Sequence, residues 1–219
     1  MRARPGAADA ILHVTWGRGP VTRGRAPLAW DSLSRVQLVE LLCRAFWLLL
    51  PGGMANMAPV LAARLFPRLD APVDLGVSFR GRRVFGTHKT FRGLIAGAVA
   101  GAATFTAQGA LATHWPLLSE LTLIRLEGAW SPAGGALLGL GALLGDLVKS
   151  FFKRRAGIDP GRPWVPWDQI DWILGTLAAA RMLTPLPLAM VLAAVVLGLV
   201  LHALVKGAGY LLGINDEWF

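Results

Sequence analysis

Charged residues divide this chain into long apolar stretches. No Asp, Glu, Lys or Arg occurs from Ala45 to Ala63, from Gly93 to Ser119, from Gly128 to Gly145 or from Met182 to Val205. Each run approaches or exceeds the ~18 apolar residues with which a helix crosses the hydrocarbon layer of a bilayer. A shorter apolar piece, Trp172 to Ala180, meets the last run across Arg181, Pro185 and Pro187, which suit a tight turn between helices. The pattern predicts an all-α, polytopic membrane bundle of about five transmembrane helices, near 36–66, 92–113, 133–152, 170–184 and 187–205, with two polar loops. Pro51-Gly52-Gly53 predicts a break or kink in the first span. Gly93, Gly97 and Gly101 lie four apart, as do Gly135 and Gly139, and Gly141 and Gly145. In lipid that spacing lets helix backbones approach closely.

Composition sharpens the class. Charged residues are 16% of the chain, against about 25% in soluble domains, which excludes an ordinary soluble or disordered protein. In so apolar a chain the net charge of +9 points to cytoplasmic loops, acidic headgroups or phosphorylated substrates rather than nucleic acid. The single cysteine, Cys43, excludes an internal disulfide and a cysteine zinc site, and reads as a buried small apolar residue. Segment 64–92 holds seven Lys and Arg and segment 149–162 holds five, whereas 114–132 holds only Arg125. The first two should therefore face the cytoplasm. Five spans then put the N-terminus outside, in tension with its many arginines. Residues 1–35 read as a basic tail without a secretory signal, and 36–219 as the transmembrane domain.

Ionisable groups at the ends of spans need a reason. In Gly145-Asp146-Leu147-Val148-Lys149-Ser150-Phe151-Phe152-Lys153-Arg154-Arg155, a continuing helix puts Asp146, Lys149 and Lys153 on one face. Asp146 reads either as a helix-end residue paired with Lys149 or as part of a site. Asp168 and Asp171 stand three apart where the fourth span begins, among Trp164, Trp167 and Trp172, which read first as an interfacial belt. One Asp explains a helix cap; two, with Asp146 and nearby cations, form an oxygen-ligand set suited to Mg²⁺. The stretch from Phe79 to Gly93 interleaves Gly, Thr and cations and contains His88, Lys89, Thr90 and Arg92. It reads either as a phosphate-binding segment or as a basic flank touching acidic lipids. Asn56, an amide inside an apolar run, must find a partner in the bundle or in a ligand.

Three carboxylates and many cations at one membrane boundary suit chemistry between a nucleoside triphosphate and a lipid phosphate. Carboxylates would hold Mg²⁺, and Lys and Arg would neutralise charge on the reacting phosphorus. A transporter or channel for an ion or anionic solute could use the same charges. The lack of an inverted repeat counts against it.

The strings ANMAPVL, FRGRRVFGTHKTFRGLIAG, GLGALLGDLVKSFFKRRAGIDPGRPWVPWDQIDWILG and LLGINDEW resemble the CDP-archaeol synthase family, itself similar to the phosphatidate cytidylyltransferases. The resemblance runs from about residue 45 to the end. It implies an integral membrane cytidylyltransferase that joins CTP to a lipid phosphate, needs Mg²⁺, and releases a CDP-lipid and pyrophosphate at the cytoplasmic face of the cell membrane. It further implies metal binding by Asp146, Asp168 and Asp171, with Lys149 completing the catalytic set. Asn56, His88, Lys89, Thr90, Arg92, Lys153 and Arg154 would then meet the nucleotide or the lipid phosphate.

Overall fold

The computed structural model describes residues 34–124 and 131–211. The tail 1–33, the residue Arg125 and the terminal LLGINDEW motif beyond Leu211 lie outside the described residues. The order is α1 (Arg35–Leu65), a two-stranded hairpin β1 (Ser78–Phe79) and β2 (Arg82–Arg83), α2 (Phe91–His114), α3 (Pro116–Leu121), α4 (Pro132–Arg155), α5 (Trp167–Leu183) and α6 (Leu188–Leu211). The protein is thus a helical membrane bundle. Three helices, α1, α2 and α4, are long and apolar enough to cross a bilayer, and α6 adds a shorter apolar run over Leu188–Leu204. The small hairpin and α3 have no counterpart in the hydrophobic pattern.

A reciprocal cap starts α1: the Ser34 hydroxyl accepts from the Gln37 N–H, and the Gln37 carboxamide accepts from the Ser34 N–H. The helix then runs unbroken through Pro51 and Pro59, so the expected break at Pro51-Gly52-Gly53 does not occur. Two contacts explain this. Pro51 has no N–H for the Trp47 carbonyl, and the Gln108 carboxamide of α2 donates to that carbonyl instead, at 2.7 Å. Gly52 is a contact point, since a Cβ there would collide with the Thr176 side chain of α5.

Glycine seams set the packing. Gly101 and Gly135 oppose each other so closely that a Cβ on either would lie 2.5 Å from the other's carbonyl oxygen, and Gly139 meets the Gly97 carbonyl. This seam joins α2 to α4. On another face of α4, Gly141 and Gly145 close against Gly175 and Asp171 of α5. Ala45, Leu49, Leu138, Ala142, Ile173 and Ala194 fill the shared core. Cys43 is exposed, contrary to expectation, because it falls on the outer side of α1.

Candidate functional site

The loop from Phe66 to Thr90 is organised around one buried carboxylate. Asp74 accepts from the Arg83 guanidinium and from the backbone N–H groups of Gly76, Phe85 and Gly86. Burial alone would raise its pKa; the Arg83 and backbone hydrogen bonds outweigh that and lower it from 3.8 to about 2. Arg155, at the end of α4, clasps the hairpin by donating to the Phe79, Arg82 and Arg83 carbonyls. Val73 donates to the Lys89 carbonyl and Phe91 to the Ala71 carbonyl, so the loop returns to α2 with Lys89 directed at α4.

Lys89 there forms an ion pair with Asp146. The other oxygen of Asp146 lies 3.0 Å from Lys149 Nζ. That same ammonium lies 2.8 Å from Asp168 and 2.9 Å from Asp171. Lys153, one turn on, pairs with Asp168 at 2.8 Å. Asp168 also accepts from the Trp164 N–H, and Asp171 from the N–H of Trp172. Three carboxylates and three ammoniums thus form one network across α4, α5 and the loop before α2. The Asp171 side chain is only 5% exposed and that of Lys149 14%, so the network is shielded from bulk water.

Local sequence explains the convergence. Asp146, Lys149 and Lys153 share a face of α4 by helical periodicity, and Asp168 and Asp171 share one of α5. Gly145, beside Asp146, has no side chain to hold α5 off, and packs against the Asp171 carbonyl. Asp146 makes the expected pair with Lys149 and a second one with Lys89.

The remaining candidates distribute around this centre. His88, Lys89 and Thr90 line a cavity of about 50 Å³ together with Pro59 and Asp146. His88 is exposed, and the Thr90 hydroxyl caps α2 by accepting from Gly93. Asn56 is half-buried on α1, one turn from Pro59 and one turn from Gly53, which faces the Trp172 ring. Arg154 is buried beneath Gly86, and its Nε has no hydrogen-bond partner. Arg92 stands apart: it donates to the Phe66 carbonyl and lines a groove between α1 and α2. Trp172 departs from the belt expectation, being buried against α1; Trp164 and Trp167 line a cavity.

That cavity, of about 820 Å³, runs between α4 and α5. Leu137, Leu140, Leu144, Leu174 and Ala178 give it apolar walls, and Lys149 and Asp171 stand at its charged end. The hydrophobic and charge patterns of the chain do not single out Asp74 or Gln108, and they mark Arg155 only as part of a basic run, without its hold on the hairpin. Asp74 has one local signal, a turn-forming Asp two residues before Gly76.

As to a metal, the donor set has the right chemistry: three carboxylates facing one point suit a hard divalent cation. The Lys149 ammonium lies between them, and among the described residues no three His, Cys, Asp or Glu side chains, these included, are arranged to hold a metal ion. The residues fit such an ion in kind, with Lys149 as the cation they share in this arrangement.

The molecule is a membrane helical bundle with a shielded carboxylate–ammonium network beside an apolar cavity, and its likenesses put it in a class of intramembrane enzymes. The profile of the family described as CarS-like, CDP-archaeol synthase, matches residues 38–219, and the chain belongs to that family. The "CDP-archaeol synthase" of Halobacterium salinarum is 35% identical over 190 residues, covering 83% of this chain and 99% of that protein. The Aeropyrum pernix protein of the same name is 40% identical over 182 residues, covering 81% and 92%. A solved structure, described as an intramembrane enzyme for archaeal membrane lipids biosynthesis, superposes with a TM-score of 0.59 at 36% identity. It covers 74% of this chain and 92% of that one. Family membership makes the chain a membrane-embedded cytidylyltransferase, and the transporter reading is not favoured.

Proposed function

We propose that the network around Lys149 is the site at which a lipid phosphate reacts with CTP. The observation that carries this is the placement of Lys149 and Asp171 at the end of the apolar cavity between α4 and α5. Hydrocarbon chains lie in that cavity, and the headgroup phosphate meets the ammonium groups. A phosphate oxygen of the lipid attacks the α-phosphorus of CTP, the bond from that phosphorus to the bridging oxygen breaks, and pyrophosphate leaves. The lipid phosphate is ionised at neutral pH, so no strong general base is required. Lys149 and Lys153 are placed to hold the reacting phosphate, and Lys89 to approach from the α2 side. Arg154, buried without a partner for its Nε, supplies a further cation for the triphosphate. His88 and Asn56 border the pocket, where Thr90 holds the start of α2 in place. A divalent cation, in our reading Mg²⁺ held by Asp146, Asp168 and Asp171, would add positive charge at the phosphate oxygens. The substrate is a phosphorylated glycerol lipid carrying isoprenoid ether chains, as the relatives' names suggest, or a related phosphatidic acid. The site faces the cytoplasm, where CTP is found.

Purified protein given radiolabelled CTP, Mg²⁺ and a lipid phosphate should yield a CDP-lipid and an equal amount of pyrophosphate. Asp168→Asn and Asp171→Asn should each lower turnover by about 100-fold in folded, inserted protein, and EDTA should stop it. Near-normal rates in both variants would remove the assignment, and undiminished activity in EDTA would remove the metal.

A further inference from the structure

A second groove lies away from the carboxylate network. It has a volume of about 480 Å³ and runs between the outer faces of α1 and α2. Leu61, Leu65, Ile95 and Val99 form its walls, and Ala62 and Ala96 its floor. Arg92 closes one end. Its guanidinium is fixed by a 2.6 Å hydrogen bond from Nη1 to the Phe66 carbonyl. The Nε is buried and has no partner. Arg64, in the last turn of α1, and Arg68, just beyond it, sit at the same end of α1. Among the described residues, Arg64, Arg68 and Arg92 form no ion pair with a carboxylate.

An apolar channel ending in a fixed arginine with two further unpaired cations nearby has the charge pattern of an anionic amphiphile. We infer that this groove binds an anionic phospholipid of the surrounding membrane. One hydrocarbon chain lies between α1 and α2, and the phosphate oxygens meet the positive charge of the Arg92 guanidinium. This lipid is not the reacting one, because the groove contains none of the groups that surround Lys149. It is held where α1 ends and α2 begins, at the two stems of the loop that carries Lys89. Its binding does not depend on the reaction proposed at Lys149.

Native mass spectrometry of the detergent-solubilised full chain tests it, with no CTP present. The probes are dioleoylphosphatidylglycerol and, as the uncharged control, dioleoylphosphatidylcholine. The wild type should retain phosphatidylglycerol more strongly than phosphatidylcholine. Arg92→Gln should weaken phosphatidylglycerol binding by roughly tenfold and bring it to the level of phosphatidylcholine. Val99→Trp, which fills the groove from a lipid-facing position, should weaken both and provides a reading should Arg92→Gln fold poorly. Ala178→Trp, in the cavity between α4 and α5, should leave binding unchanged, and inorganic phosphate should not compete at equal concentration. Wild-type affinity in both Arg92→Gln and Val99→Trp would overturn the inference. So would loss of phosphatidylglycerol binding in Ala178→Trp alone, which would place the lipid in the cavity between α4 and α5.

Discussion

Lys149 is the residue on which the network turns. Its ammonium touches Asp146, Asp168 and Asp171, each of which would otherwise face another carboxylate across a poorly hydrated gap. Lys149→Met should therefore lower the thermal unfolding temperature and abolish turnover together. Adding Asp171→Asn to Lys149→Met removes one of the repelling charges, and should recover part of the unfolding temperature with no recovery of turnover. A double variant no more stable than the single one would show that repulsion is not what Lys149 relieves. Asp74 gives a second prediction at this scale, outside the membrane helices. Its pKa is lowered in the folded state to about 2, so its contribution is fully present above the ordinary carboxylate pKa of 3.8 and is lost as pH falls toward 2. Protection of the Phe85 and Gly86 amides from hydrogen exchange, taken relative to the intrinsic rate at each pH, should hold at pH 5 and fall between pH 4 and 2. Asp74→Asn, which keeps a single acceptor oxygen and loses the charge, should show the reduced protection already at pH 7. Of these two residues, one is legible in the sequence and the other is not, for a physical reason. Lys149 sits at helical spacing from Asp146 and Lys153, so the face can be drawn from the chain alone. Asp74 acts through backbone N–H groups and an arginine up to twelve positions away in an irregular loop, and no periodicity records that.

Helices meet where glycine permits, and this decides how near the charged faces come. Gly145 is the clearest case, because the Asp171 carbonyl occupies the space its side chain would take. Gly145→Val must push α5 away from α4, at about 1–3 kcal/mol for overpacking, and must carry Asp168 and Asp171 away from Lys149. Turnover should fall more steeply than stability, as the network sits at the displaced seam. Gly53→Ala is the control. A Cβ there meets the Trp172 ring at 3.6 Å, an ordinary contact, so both stability and rate should stay near wild type. If Gly145→Val were as active as Gly53→Ala, the seam would not be what positions α5. The four-residue glycine spacing is readable as helix packing from the chain alone. Which seam serves which neighbour is not, because α4 uses Gly135 and Gly139 toward α2 but Gly141 and Gly145 toward α5. Pro51 misleads for a related reason. A proline in a helix leaves a carbonyl unpaired only if nothing else reaches it, and the Gln108 side chain, 61 positions away, does so here.

At the scale of the whole molecule, the bundle sets a charged network beside an apolar cavity between α4 and α5. A soluble triphosphate and a membrane lipid need different surroundings, and in the proposed function this junction serves both. If the cavity holds the hydrocarbon part of the lipid phosphate, then narrowing it should affect that substrate alone. Leu140→Trp and Ala178→Trp each place a large ring in the cavity away from the ammonium groups. Each should raise the KM for the lipid phosphate by roughly tenfold, the equivalent of about 1.4 kcal/mol of lost chain contact. CTP binding, measured by equilibrium titration without lipid, should be unchanged, because the network at the far end is untouched. A lipid phosphate with short chains should lose the difference between wild type and variants, since it never reaches the narrowed part. If both variants retained the wild-type KM for long-chain lipid, the chains would have to lie elsewhere. The α4–α5 cavity would then be an ordinary lipid-facing hollow, and the route by which the lipid phosphate reaches Lys149 would have to be sought on another face of the bundle.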